Sequence, residues 1–223
     1  MKIHVPIILA GLVWGGCSNN SNDSNNPNLN VVSTNSTCNL EKIIQSQKMP
    51  KDLNEISKYL NEKIIYLCDK KDFWNSPIKT INEGFGDCDD KAILGSYFAE
   101  KLGYCPKVLV LIENVKSGHL VTLLEEIHGN GENNKKYGAI ESGETFYPTY
   151  DSIDTLVDNI NMTNFRNYRY YSVIDLNSLD KDWRTSDKNL ILPKKSREFK
   201  LISINNRERT DGYKVGKLNF EFK

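Results

Sequence analysis

Cys88 stands in the run Gly84-Phe85-Gly86-Asp87-Cys88-Asp89-Asp90-Lys91-Ala92, after a glycine-rich turn. Beyond it, Ala92, Ile93, Ser96, Ala99 and Leu102 recur at the spacing of one helical face, which puts the cysteine in the first turn of a core-facing helix. A helix N-terminus carries partial positive charge and unpaired N–H groups, and both favour a thiolate, the nucleophilic form of cysteine. A lone cysteine is more often a buried structural residue. Here the polar flanks Asp87, Asp89 and Asp90 speak against an apolar pocket, so the spacing points to nucleophilic chemistry.

Such a cysteine needs a base to take its proton and a third group to hold the base. Of the histidines, His4 lies in a leader-like segment and His128 in a polar turn, which leaves His119. It opens the run His119-Leu120-Val121-Thr122-Leu123-Leu124, whose apolar and β-branched content predicts a strand. Turn-forming residues follow, and Tyr137 to Glu141 reads as the returning strand. An antiparallel return brings a carboxylate beside His119; Glu141 is the first candidate, with Asp151 and Glu144 behind it. Residue 130, inside Gly129-Asn130-Gly131, lies midway between His119 and Glu141, so the two are expected roughly opposite each other across the hairpin. Helices first and strands afterwards predict an α+β fold, a helical layer carrying Cys88 packed on an antiparallel sheet carrying His119 and Glu141.

The pieces Trp74-Asn75-Ser76-Pro77, Gly84 to Ala92, Gly118-His119-Leu120-Val121 and Ile140-Glu141-Ser142 resemble the bacterial transglutaminase-like cysteine peptidases, within the transglutaminase-like and papain-like superfamily. The resemblance spans about residues 53–148. It implies a transglutaminase-like (papain-like) fold and a Cys-His-acid triad made of Cys88, His119 and Glu141. In the superfamily the acid is commonly an Asp followed by Pro, whereas here Ser142 follows Glu141. The implied activity is hydrolysis of a peptide or isopeptide bond, or transfer of its acyl group to an amine. The Cys88 N–H would serve an oxyanion hole, with Trp74 or Asn82 as candidate second donors. The alternative is an inactive member that serves as a binding or scaffolding module at the cell envelope.

Three carboxylates beside a thiolate disfavour it unless another charge offsets them. A bound hard cation would do so, and an all-oxygen donor set from Asp87, Asp89 and Asp90 suits Ca²⁺. Some adhesin-releasing periplasmic proteases of the resembled family are calcium-dependent through acidic residues at this place. Without a metal, Asp89 and Asp90 would simply complement the helix dipole. The Cys and His spacings match no structural zinc pattern.

The rest of the chain frames this site. Lys2 followed by the apolar stretch Val5 to Trp14, ending in Gly15-Gly16-Cys17, reads as an export signal whose Cys17 resembles a lipidation site. Eight asparagines among residues 18–37 predict a disordered tether behind that anchor. The expected partners are therefore a bilayer, reached through lipidated Cys17, and an envelope protein or peptide substrate. Residues 38–150 are expected to form the catalytic core, and residues 151–223 to complete or flank the sheet. Asp52 is placed to cap a helix striped by Leu53, Ile56, Leu60, Ile64 and Leu67, and Asn75-Ser76-Pro77 to start another. Setting aside Cys17 and Cys88 leaves Cys38, Cys68 and Cys105, enough for one disulfide in an oxidising compartment. The 223 residues suit one domain with appendages. With 29 basic and 29 acidic residues, no charge excess points to nucleic acid. From Lys181 onward, 12 basic residues face 6 acidic ones, a mixture expected on a solvated face.

Overall fold

The computed structural model describes residues 49–68, 73–114, 117–127, 134–178, 183–184 and 189–190, and the backbone of 200–201. The leader and tether, Cys17, Cys38, His4, His128, the hairpin tip at Gly131 and most of the segment from 179 onward lie outside the described residues.

The chain is mixed helix and sheet. Helix α1 (Leu53–Glu62) starts at Asp52, whose carboxylate accepts from the Glu55 N–H at 2.8 Å, and it buries Leu53, Ile56 and Leu60. The apolar stripe outruns the helix. Ile64 reaches the core from beyond it, while Leu67, expected inside, is 53% exposed. Strand β1 (Ile65–Tyr66) and strand β2 (Trp74–Asn75) precede helix α2 (Pro77–Glu83). Ser76 caps α2, Pro77 occupies its first turn, and Gly84 at φ +70° ends it in the left-handed region that glycine tolerates. Strand β3 (Phe85–Gly86) runs parallel to β1, and helix α3 (Cys88–Lys101) follows at once.

Strands β4 (Cys105–Asn114), β5 (Ser117–Ile127), β6 (Lys135–Glu141) and β7 (Glu144–Tyr150) form an antiparallel meander. Helix α4 (Ile153–Thr163), capped by Ser152, leads to β8 (Tyr170–Ile174), which returns to pair with β4. Short strands β9 (Asn189–Leu190) and β10 (Lys200–Leu201) pair with β2 and β8, giving the main sheet the order β10-β8-β4-β5-β6-β7.

Alternation divides the core between the two sheet faces. Val108, Val110, Leu120, Leu124 and Ile140 pack with α1, α2 and α3, whereas Leu109, Leu111, Val121, Leu123 and Ala139 pack with Leu156, Val157 and Ile160 of α4. Helix α3 lies tight on β5. A Cβ on Gly95 would come within 2.4 Å of Thr122 Oγ1, and that hydroxyl donates to the Ala92 carbonyl at 2.9 Å. The late residue Trp183 is buried in the first core, and Arg184 next to it forks onto Glu100 of α3 with two 2.6 Å bonds. No helix among the described residues is long and apolar enough to cross a membrane.

Candidate active site

Cys88 is the first residue of α3 and is not in a disulfide. Its position is set by Asp90, two residues on. That carboxylate accepts from the Asn75 N–H at 2.6 Å, from the Asn75 side-chain amide at 3.0 Å and from the Asp87 N–H at 3.4 Å. The clamp needs Gly86, where a Cβ would meet Asp90 Cβ at 2.6 Å and Oδ2 at 2.7 Å. So the glycine turn serves the helix start as much as the chain direction. The Tyr66 hydroxyl hydrogen-bonds with Cys88, and burial first, then the Cys88 charge, hold the phenol protonated well beyond its ordinary range.

His119 and Glu141 come together through the β5–β6 hairpin, but in a different register from the one expected. Thr122 pairs with Ile140 and Leu123 with Ala139, which sets Glu141 across from Val121 and diagonal to His119. The slip is two residues, so both side chains keep one face; a slip of one would have separated them. His119 Nε2 lies 4.0 Å from Glu141 Oε2. The same oxygen accepts from Asn164 Nδ2 at 3.0 Å, while Glu141 Oε1 is buried without a hydrogen-bond partner among the described residues. Burial pushes Glu141 up to about 7, with Glu144 adding to the effect. Burial pushes His119 down to about 4, with the Arg166 charge adding to it. The imidazole stacks on Tyr168 at 6.3 Å between ring centres. The Cys88 charge also contributes to the raised Tyr168 phenol, after burial and Glu141, so sulfur and ring share one electrostatic neighbourhood.

Alternation directs His119 and Glu141 to the α4 face, while Cys88 lies on α3 at the other face. They meet where β5 begins and β6 ends. There a cavity of about 290 Å³, open mouth included, is lined by Leu60, Tyr66, Cys88, Lys91, His119 and Glu141 among others.

The remaining candidates are placed elsewhere. Asp151 is 85% exposed and paired with Lys136, so it does not approach His119. Glu144 faces Glu141 across the β6–β7 turn. Trp74 is buried in the first core and Asn82 is exposed on α2; neither lines the cavity. Asp87, Asp89 and Asp90 offer carboxylate oxygens within 4.8 Å of one another. Among the described residues Asp87 Oδ1 and Asp89 Oδ1 are buried without hydrogen-bond partners, and burial, then Asp87, raise Asp89 well above its ordinary value. Cys68 is in a disulfide, and Cys105 is not. Sequence reasoning missed Tyr66, Lys91, Asn164, Arg166 and Tyr168. Lys91 alone carried a signal, since it stands three residues after Cys88 on the same helical face.

No family model and no curated protein matches the chain. Among solved structures, Legionella pneumophila LapG is similar in three forms, each at a TM-score of 0.39. The EGTA-treated form is 18% identical and the match covers 61% of this chain and 74% of that one. A second LapG structure gives 18%, 61% and 75%. The calcium-bound form gives 17%, 60% and 75%.

Proposed function

We propose that this chain is an exported, transglutaminase-like cysteine hydrolase that acts on a peptide or isopeptide bond through Cys88, His119 and Glu141. The observation that carries the reading is a single cavity bordered by a helix-N-terminal cysteine, an imidazole and a buried carboxylate with one unpartnered oxygen. Cys88 Sγ attacks the carbonyl carbon, and the thiol proton passes to His119 and then to the departing amine. Water, or a second amine, then releases the thioester. Nε2 faces Glu141, which leaves Nδ1 to serve the sulfur. The 4.0 Å separation is longer than a hydrogen bond, as catalytic contacts often are before substrate arrives.

The oxyanion takes the N–H of Cys88 at the start of α3 and the Tyr66 hydroxyl as second donor. Burial keeps that phenol protonated and therefore able to donate. Asp87 and Asp89, with their buried orphan oxygens, fit a hard cation, and Asp90 frames them through Asn75. Ca²⁺ bound there would supply positive charge beside the thiolate and let Asp89 ionise. Cys17, outside the described residues, would hold the domain to a membrane through a lipid.

The test is a comparison of envelope proteins from cells carrying the native chain and the Cys88→Ala variant. New N-termini or cross-links that depend on the thiol support the reading. Identical protein patterns would leave the inactive binding module as the better account.

A further inference from the structure

Lys91 is 7% exposed, and a buried lysine is rare unless an anion pairs with it. Lys79, Lys107 and Lys136, all more exposed, each face a carboxylate. Lys91 faces none among the described residues. Its Nζ donates to Ser142 Oγ at 3.2 Å and lies 5.6 Å from the Tyr66 ring centre. Asp87 stands four residues earlier, the spacing at which a helical ion pair forms, yet the ammonium reaches across the cavity to the β6–β7 turn instead. The acidic residue nearest in sequence, Asp90, is committed to Asn75 and to the Asp87 N–H. The cavity that holds Cys88 and His119 is thus lined by a cation whose contacts are one hydroxyl and one ring face; Glu141 lines the same cavity, yet no carboxylate among the described residues comes within ion-pair distance of Lys91.

We propose that Lys91 recognises a carboxylate on the substrate, so that the bond attacked by Cys88 lies beside an acidic group. The inference rests on the cysteine-hydrolase reading and names its substrate class. The carboxylate belongs either to an Asp or Glu side chain or to a chain terminus.

Two thiol reagents of like shape test it in the full-length protein: iodoacetate, which carries a carboxylate, and the neutral iodoacetamide. Alkylation rates at Cys88 and at exposed Cys105 are read by peptide mapping. Taking the ratio of the two reagents at one sulfur cancels its general reactivity. The ratio at Cys88 should exceed that at Cys105 about tenfold, the equivalent of about 1.4 kcal/mol. Lys91→Met should bring it down to the Cys105 value, and Lys91→Arg should keep most of it. Equal ratios in the native protein, or a ratio unmoved by Lys91→Met, overturn the proposal. A Cys88 slow towards both reagents sinks the hydrolase reading instead, and the ratio still decides the role of Lys91. Protection of Cys88 from iodoacetamide by acetyl-aspartyl-amide points to a side chain, and protection by acetyl-diglycine to a terminus. Equal protection by acetyl-asparaginyl-amide contradicts carboxylate recognition.

Discussion

Glu141 and His119 are pushed in opposite directions by the same burial, the carboxyl up to about 7 and the imidazole down to about 4. Between those values the carboxyl holds a proton and the imidazole is neutral. His119 can therefore accept a proton throughout that range, while Glu141 can stabilise an imidazolium only above about 7. Activity should rise with pH through about 7, and this limb belongs to Glu141. Glu141→Gln should lower kcat/KM by on the order of 10³-fold and abolish the limb. Because Glu144 adds to the raised Glu141, Glu144→Gln should move the limb to lower pH. Stability carries the opposite sign. A carboxyl whose folded pKa is raised contributes stability below about 4.5 that is lost as pH rises through about 7. Glu141→Gln should then gain up to roughly 3 kcal/mol above pH 7 and nothing near pH 4. Urea unfolding at the two pH values reads this; a variant that loses stability at high pH would mark Glu141 as a structural residue.

Local chemistry made the elements legible, and long-range contacts did not. Asp52 and Ser76-Pro77 act within a few residues, and each starts its helix where expected. The hairpin lies two residues from the register its turn residues suggest, because turn residues do not fix which strand residues pair, yet parity keeps His119 and Glu141 on one face. Strand β7 escaped notice because Pro148 breaks a strand pattern, although an edge strand tolerates it. Asn164, Arg166 and Tyr168 follow α4 and reach the site only through the fold, so no spacing pointed to them. Gly95 was equally silent, although it seats the cysteine helix on the histidine strand. Gly95→Ala should cost about 1–3 kcal/mol through overpacking against Thr122. Adding Thr122→Ala should recover part of it, a coupling that a double-mutant cycle in urea measures. Simple additivity would mean that the contact does not set the spacing.

At the scale of the molecule, one sheet separates a cysteine-bearing helical layer from α4, and the site forms where the sheet ends. Residues from both faces meet there, which is why neither core alone defines it. The acidic cluster lies beside this meeting point, and a cation on it would tie β2, the glycine turn and α3 together. Ca²⁺ at a hundredfold excess over its Kd should stabilise the protein by about 2.7 kcal/mol. EGTA should reverse the shift, and Asp89→Asn should remove it; thermal unfolding unchanged by Ca²⁺ would argue that the carboxylates only dress the helix start. The central claim is that His119 and Glu141 activate Cys88, and the most direct measurement is iodoacetamide alkylation of the full-length protein at pH 7. Cys88 should react at least about tenfold faster than Cys105, the mark of an activated thiolate. His119→Gln should erase that excess. Equal rates at the two sulfurs, or an excess that survives His119→Gln, would contradict the account.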